Sequence, residues 1–495
     1  MTGTIKPMQA SQEIRKRYLF FLRHFNDIDN IAPIIHGFLG ADGTHQAEVL
    51  LYDENYSGRS DPNLNLLSTA FPDQFQWCWL GDRFGLSFES SRRAARLQQR
   101  LRKLLITVKR VTQSGRPRRT PAQPGVARTT PEASAEAGTG SRGRWSWLPM
   151  GLRSVADVRS GRAGADLIRK ALTPLVASPR PADLVIFDVV RSHHVSGILK
   201  ALRALGCRSI ICLPVSPLIN YNVLREYDFT TPGSQEFRNR HDYSGFDALS
   251  YVDGLYLEHY RSFMQGMGLP DGLPRDTNCI GSLRYAPEWI RIRSTATARE
   301  AADSAPQAAR GHTHKRLLVL LSRLKANVNR EELQACLDWL AQADGFEIRI
   351  KGHPRASGAE AGLQLHAMQD ANSQDTSTLV DWCDAILFWG TSAALEGFAK
   401  GKTMICIPFV SSNLNLYVHY SVGFIARCRD EMVLGLRRYL QAEKIEPYNH
   451  SGIEALMREV VRAGHVDWNG QLQSTLRHLE HHERPLRTAS ESLVR

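Results

Sequence analysis

The sequence lacks any apolar run of the roughly 18 to 20 residues that a membrane-spanning helix requires. Its best apolar stretches, such as Arg316 to Ser322, have the length of single strands. The first residues also lack the apolar core of a secretion signal. We therefore expect a cytoplasmic protein.

Cysteine pairs and metal-binding motifs are also scarce. The eight cysteines are scattered and form no CxxC pair, which favours buried, reduced thiols. No HExxH segment occurs and the 17 histidines are dispersed, so the sequence predicts no metal site and metal-independent chemistry. The absence of a GxSxG elbow and of a GxxxxGK[ST] loop argues against an α/β-hydrolase and a P-loop NTPase.

Most of the net charge is confined to one stretch. The 495 residues carry a formal charge of +12, and residues 106–165 contain eleven basic and three acidic side chains. Residues 112–143, rich in Pro, Gly, Ser, Thr, Ala and Arg, predict a disordered basic insert in the first domain. The insert is either simply solvated or makes a peripheral contact with an anionic inner membrane face or a polyanionic glycan. No nucleic-acid-binding motif occurs, so we expect no nucleic-acid partner.

Short apolar runs alternate with amphipathic helical patterns in both halves of the chain. Apolar runs of strand length, separated by amphipathic helices, predict parallel sheets with helices on both faces. The fold class is therefore α/β, with two Rossmann-like domains that face each other across a cleft. The predicted division is 1–290 for the first domain, 294–314 for a linker, 315–430 for the second domain, and 431–495 for C-terminal helices and a tail.

Two motifs in the second half place polar side chains after buried strands. In IRIKGHPR the strand delivers Lys351, His353 and Arg355 to its carboxyl end, where they can bind a phosphate. A structural turn is the other interpretation of this pattern.

The second motif, AILFWGTSAALE, continues from its strand into Gly390, Thr391 and Ser392 at the expected start of a helix. Unpaired amides at a helix N-terminus bind anions, and the hydroxyls add two donors, although helix capping alone also explains them. Glu396 comes one turn later, either as an acceptor for sugar hydroxyls or as an ordinary exposed residue. We expect His353 and this turn to converge on one anion from adjacent strands.

A third motif, GSLR, follows the strand NCI shortly before the linker. Its Ser282 suits a tight turn, and Arg284 is a candidate ligand for a diphosphate. A surface arginine is the alternative interpretation.

The order of GSLRY, a linker, KGHP, FWGTSAALEG and KGKTMICIPF resembles the donor-binding half of GT-B glycosyltransferases. It is most similar to the bacterial capsule and surface-carbohydrate transferases with a His-Pro motif. These include Kdo- and sialyl-transferring enzymes and, more distantly, CDP-glycerol glycerophosphotransferases. The resemblance covers residues 278–408. It implies that His353, Thr391 and Ser392 bind the phosphate of a CMP-, CDP- or UDP-linked donor, with no other cofactor.

An inverting, metal-independent transferase needs a general base near the acceptor hydroxyl. In the expected loop HFNDID we favour Asp29, then Asp27, with His24 as a third candidate, although Asp29 can equally cap a helix that begins at Asn30. Sialyltransferases with the His-Pro motif take their base from an acidic pair followed by glycine. At the corresponding position this chain has a single acid, Asp253, before Gly254. The further candidates at strand ends are Asp188, His193, His194 and Asp253.

The sequence thus predicts an enzyme that moves a sugar or polyol phosphate from a nucleotide-activated donor to a surface polysaccharide or glycolipid. Two alternatives stay open. A nonhydrolysing UDP-N-acetylglucosamine 2-epimerase would share the architecture and need no acceptor. A non-catalytic binding or scaffold protein would keep the cleft without the base.

Overall fold

The computed structural model describes about half of the predicted first domain and most of the predicted second domain. The described residues are 16–53, 56–84, 172–173, 182–188, 195–207, 209–214, 219, 243, 245–266, 268–301, 314–322, 324, 327–353, 362–365, 368–442 and 445–483. The expected insert at 112–143, the second part of the expected linker, His193, His194 and Arg355 lie outside them. Within the described part, no helix is both long and apolar enough to cross a membrane.

The first domain contains a seven-stranded parallel sheet in the order β3-β2-β1-β4-β5-β6-β7. Its strands are β1 (Arg17–Leu22), β2 (Gln46–Leu51), β3 (Phe75–Trp79), β4 (Leu184–Phe187), β5 (Ile210–Cys212), β6 (Ala248–Tyr251) and β7 (Asp276–Cys279). Its described helices are α1 (Phe25–Ala41), α2 (Pro62–Ala70), α3 (Ser196–Ala204) and α4 (Gly254–Gly266), with 3-10 turns at Leu80–Phe84 and Leu283–Tyr285. Helix α5 (Pro287–Ala301) then leads towards the second domain.

The second domain contains a six-stranded parallel sheet in the order β10-β9-β8-β11-β12-β13. Its strands are β8 (Lys315–Leu320), β9 (Phe346–Lys351), β10 (Gln369–Asp370), β11 (Ala385–Phe388), β12 (Thr403–Cys406) and β13 (Phe424–Ile425). The described helices are α6 (Arg330–Gln342), α7 (Thr376–Trp382), α8 (Ala394–Ala399), α9 (Leu416–His419), α10 (Arg429–Gln441), α11 (His450–Leu456) and α12 (Trp468–His482). A 3-10 turn covers Pro408–Val410 and a π turn covers Met457–Val461.

The two Rossmann-like parallel-sheet domains predicted for a GT-B fold are confirmed. The central strands β4 and β11 consist only of buried apolar residues, because helices cover both faces of each sheet. Short polar caps fix where helices begin. Asp61, Asn329 and Asp375 accept from the first backbone amides of α2, α6 and α7, which have no partner within the helix.

A continuous apolar core joins the two domains. Phe20 of β1 and Phe388 of β11 belong to the same cluster of buried side chains. Tyr285 and Trp289, at the start of the connection between the sheets, are almost fully buried in that cluster. Apolar burial contributes on the order of 25 cal/mol per Å², so packing holds the sheets together in addition to the chain connection.

The chain returns to the first domain after the second sheet. Gln471 of α12 donates to the carbonyl oxygens of Ile280 and Val461 at 2.9 and 2.7 Å. The Ser282 amide donates to the same Val461 oxygen at 2.8 Å. The last helix therefore covers the end of β7, although it follows the second domain in sequence.

Two local expectations about helix starts are wrong. The helix expected from Asn30 begins at Phe25, and His24 is its N-cap. Asp27 and Asp29 thus lie within the first two turns of α1 and not in a loop, and Asp29 does not cap it. Ser392 does not open its helix either, since α8 begins at Ala394.

Strand order reverses direction once in each sheet, between β1 and β4 in the first and between β8 and β11 in the second. The loops after such strands diverge, which leaves a crevice at the carboxyl edge where ligands of α/β proteins bind. His24 and Asp188 follow the strands at the first reversal, and Ser322 and Gly390 follow those at the second.

The close approach of the C-terminal segment to Gly281 makes a test of this fold. Gly281 has φ +77°, and an added Cβ would lie 2.4 Å from both Val461 O and Gln471 Nε2. We expect Gly281→Ala to lower the free energy of unfolding by about 2 to 4 kcal/mol, from backbone strain plus the clash. Gly268→Ala is the control, because Gly268 has φ +68° and no atom of the described residues lies within 4 Å of the added Cβ. It should cost only about 1 kcal/mol. Equal losses in urea unfolding would contradict the docking of the C-terminal segment.

Candidate functional site

The turn Gly390 to Ser392 lies at the reversal point of the second sheet. Gly390 has φ +48°, a conformation that suits glycine. Its carbonyl accepts from Ser322 Oγ at 3.0 Å, which joins the loop after β8 to the loop after β11. The Thr391 carbonyl accepts from the Tyr417 hydroxyl at 2.7 Å. The turn is therefore fixed from both sides.

Ser392 connects this turn to the first half of the chain. Its side chain hydrogen-bonds the buried hydroxyl of Tyr285. Thr391 Oγ1 accepts from the Ala393 amide at a long 3.4 Å. Thr391 thus caps the turn before α8, whereas neither hydroxyl residue is the N-cap of the helix itself, which is Ala393.

The expectation that His353 and Ser392 follow adjacent strands is wrong. His353 comes after β9 and Ser392 after β11, and β8 lies between those strands. Neighbouring strands are about 4.8 Å apart, so the two strand ends are separated by roughly 10 Å. A common ligand must therefore either span this distance, as a nucleoside diphosphate does, or be reached by side chains that extend towards it from both strand ends.

The segment around His353 is braced by the loop after β10. The Gly352 amide donates to Asn372 Oδ1 at 2.7 Å. Lys351 donates to the Gln374 carbonyl oxygen, and burial lowers the pKa of Lys351. Lys351 thus stabilises the backbone of the neighbouring loop. His353 is half-buried at the end of β9.

Arg284 and Asp29, expected in separate roles, form an ion pair. Arg284 Nη2 lies 2.8 Å from Asp29 Oδ2, and Asn63 Nδ2 donates to Asp29 Oδ1 at 2.6 Å. Arg284 also donates to Asn26 Oδ1 at 3.3 Å. Burial raises the pKa of Asp29 while Arg284 opposes that rise. Both carboxylate oxygens of Asp29 are therefore engaged, and Arg284 is not a surface arginine.

Glu396 is buried and not exposed. It lies 2.9 Å from Arg293 Nη2 and 3.0 Å from Lys400 Nζ, and Ser377 Oγ also donates to it. Burial opposes its charge, but Arg293 and Lys400 outweigh burial and lower the pKa of Glu396 to about 2. Since Arg293 lies on α5 and Glu396 on α8, this pair ties the connecting helix to the second domain.

The other two predicted base residues are also engaged. Asp27 is 1% exposed and accepts from the Arg23 amide and guanidinium at 2.9 to 3.0 Å. His24 Nδ1 accepts from the Asn26 amide at 3.2 Å, so the neutral ring carries its proton on Nε2. His24 is thus suited to donate a hydrogen bond and not to accept a proton at Nε2.

Asp253, which the sequence left as an alternative, has a more suitable environment for a base. It follows β6, and its Oδ1 accepts from the Tyr256 amide at 2.8 Å. Oδ2 is buried and has no hydrogen-bond partner among the described residues. Burial raises the pKa of Asp253, as a general base requires. Its charge also acts on Tyr420 of the second domain, which puts the carboxylate near the domain junction.

Several residues of this region were not predicted from the sequence. Lys400 stands four residues after Glu396, a spacing that predicts an ion pair on a helix. The other partners come from distant segments and have no local signal. They are Asn63, Tyr285, Arg293, Ser377 and Tyr417.

No family model and no curated protein matches this chain. Among solved structures, UDP-GlcNAc 2-epimerase from Neisseria meningitidis aligns with a TM-score of 0.48 and 10% identity over 94% of this chain and 100% of that one. A glycosyltransferase from Rickettsia africae gives 0.47 and 11% over 94% and 99%. Arabidopsis thaliana UGT89C1 complexed with UDP gives 0.46 and 12% over 94% and 100%. Scores and identities of this size assign neither an activity nor a ligand to the chain.

The Glu396 ion pairs generate a prediction about stability and pH. Glu396→Gln should lower the free energy of unfolding by about 3 to 5 kcal/mol near neutral pH, because it leaves buried Arg293 uncompensated. The folded pKa of Glu396 is about 2, below the ordinary value of 4.5. Its contribution is therefore complete above about pH 5 and declines as the pH falls towards 2.

The gap in stability between wild type and Glu396→Gln should thus narrow on acidification, measured by urea unfolding from pH 6 to 3. Glu454→Gln, at an exposed helical glutamate, is the control and should change stability little. A gap that stays constant across this range would contradict the paired, ionised state of Glu396.

Proposed function

We propose that this protein is a GT-B glycosyltransferase that moves a sugar or polyol phosphate from a nucleotide-activated donor to a glycan or glycolipid acceptor. The supporting observation is the turn Gly390 to Ser392, placed at the reversal point of the second sheet and held by Ser322 and Tyr417. Anionic ligands of doubly wound sheets bind at such points through backbone amides and hydroxyls.

In this proposal the donor diphosphate or phosphate lies along the carboxyl edge between β9 and β11. Thr391 and Ser392 donate to it from one side and His353 from the other. Arg284 and Glu396 act indirectly, because their ion pairs fix the junction that surrounds the donor. The acceptor oxygen forms a bond to the transferred group as the bond between that group and the nucleotide breaks, and the nucleotide leaves with the electron pair.

We propose Asp253 as the general base that takes the proton of the acceptor hydroxyl. Its Oδ2 has no hydrogen-bond partner among the described residues, and burial raises its pKa. Asp29 is less suited, because Arg284 and Asn63 already occupy both of its oxygens. Asp253-Gly254 also stands where the resemblance to His-Pro-motif sialyltransferases predicts an acid before glycine.

The remaining parts of the proposal rest on the sequence alone. They comprise a surface polysaccharide or glycolipid acceptor, catalysis without a metal, a cytoplasmic location, and contact of the basic insert with an anionic membrane. A panel of CMP-, CDP-, UDP- and GDP-linked donors, with and without acceptor glycans, tests the activity. Transfer only with acceptor supports the proposal. Epimer formation without acceptor, or binding without turnover, would replace it with an epimerase or a scaffold.

The donor-binding role of His353 can be measured separately. We expect His353→Ala to weaken nucleotide affinity by about 1.5 to 3 kcal/mol, roughly 10- to 150-fold, the value of a hydrogen bond to a charged group. Calorimetric titration with the nucleotide selected by the donor panel gives this value. His450→Ala, at an exposed histidine of α11, should bind as wild type does. Unchanged affinity in His353→Ala would rule out contact with the phosphate.

Asp253→Asn tests the base. Asparagine preserves the size of the side chain and its bond to the Tyr256 amide, but it cannot take a proton. We expect kcat to fall about 100- to 10,000-fold with little change in the KM for the donor. Asp73→Asn, at an exposed aspartate before β3, is the control. A kcat within a few-fold of wild type would assign proton transfer to another group.

A further inference from the structure

Three side chains with metal-ligand chemistry meet where the last helix packs on the first sheet. His478 and His482 are one turn apart on α12, and Asp276 is the first residue of β7. One ligand atom from each side chain lies within 4.8 Å of the others. His482 Nε2 is 2.8 Å from Asp276 Oδ2.

All three side chains are partly buried, so a metal ion between them would be partly shielded from water. Two imidazole nitrogens and one carboxylate oxygen at this spacing form a set of three ligands.

His478 also has the hydrogen-bond partners that orient a ligating histidine. Its Nε2 lies 2.9 Å from Ser250 Oγ, and its Nδ1 lies 3.1 Å from Asn278 Nδ2. Asn278 Oδ1 is buried with no hydrogen-bond partner among the described residues. Exchanging the amide oxygen and nitrogen of Asn278, an assignment made from the hydrogen-bond network, lets Oδ1 accept from a protonated Nδ1. Nε2 then carries the lone pair, and the Ser250 hydroxyl that faces it must move aside for a metal ion to bind. The Asn278 carbonyl would fix the ring as partners of metal-bound histidines do.

We propose that Asp276, His478 and His482 form a zinc site that fastens the C-terminal helix to the first sheet. Two imidazoles and one carboxylate suit Zn²⁺, with water in the fourth position. Ligand bonds of about 2.0 to 2.2 Å place tetrahedral ligand atoms about 3.4 Å apart, so small side-chain shifts complete the site.

The site is separate from the proposed donor site. Asp276 stands at the amino end of its strand, whereas the turn Gly390 to Ser392 follows the carboxyl end of β11. The zinc ion would stabilise the same contact between α12 and β7 that Gln471 makes through Ile280. The zinc proposal therefore stands or falls independently of the transferase activity.

Zinc binding to tag-free, chelator-treated protein tests the proposal. Competition with a chromophoric chelator should give one tight equivalent per chain in the wild type, with a higher Tm when zinc is bound. His478→Ala and His482→Ala should each weaken binding by about 100-fold or more, at least as much as the loss of an outer hydrogen-bond partner. His481→Ala is the matched control, because His481 is adjacent but exposed, and its affinity should stay close to that of the wild type.

Asp276→Asn provides a further variant that keeps the shape of the side chain, and it should also lose the tight equivalent. Substitution with Co²⁺ should give the strong visible absorption of a tetrahedral site in wild type and His481→Ala only. Absence of a tight equivalent in the wild type would overturn the proposal, whatever the variants do. Equal binding in His478→Ala, His482→Ala and wild type would overturn it as well.

Discussion

The buried charge at the domain junction is the constraint on which the rest of the structure depends. Arg293 on the connecting helix and Glu396 in the second domain are both largely removed from water and lie 2.9 Å apart. A buried charge without its partner costs about 3 to 5 kcal/mol, so only arrangements that keep this pair are stable. The neighbouring pair of Arg284 and Asp29 acts on the same electrostatic environment, since each pair affects the pKa values in the other. Together they fix how the carboxyl edge of one sheet meets that of the other.

Because these charged side chains pair with each other, they are not available to bind a ligand. Arg284, which the sequence offered as a ligand for a diphosphate, is neutralised by Asp29, and Lys351 is held by a backbone carbonyl. In the proposed donor site, the donors are the hydroxyls of Thr391 and Ser392 and the imidazole of His353. Hydroxyl donors bind a phosphate without the desolvation cost of another buried cation. We propose Asp253 and not Asp29 as the base for a similar reason. Both oxygens of Asp29 are bound by other side chains, whereas burial raises the pKa of Asp253.

The fold was more predictable from the sequence than the site. Buried parallel strands are continuous apolar runs, so segments such as Leu184–Phe187 and Ala385–Phe388 are visible directly. Strand order depends on pairing between distant segments, which is why β8 was not expected between β9 and β11. The start of α1 was missed because histidine is an uncommon N-cap, and its role depends on an Nδ1 contact that only coordinates reveal. Lys400 was within reach of Glu396 by helical spacing, whereas Arg293 is 103 residues away in sequence.

The position of a bound nucleotide tests the central claim most directly. A crystal structure with the tightest-binding nucleoside mono- or diphosphate should show its phosphate at the carboxyl edge between β9 and β11, hydrogen-bonded to the turn Gly390 to Ser392 and to His353. A nucleotide bound elsewhere, or a phosphate that contacts neither the turn nor the imidazole, would contradict the proposed donor site and with it the transferase mechanism.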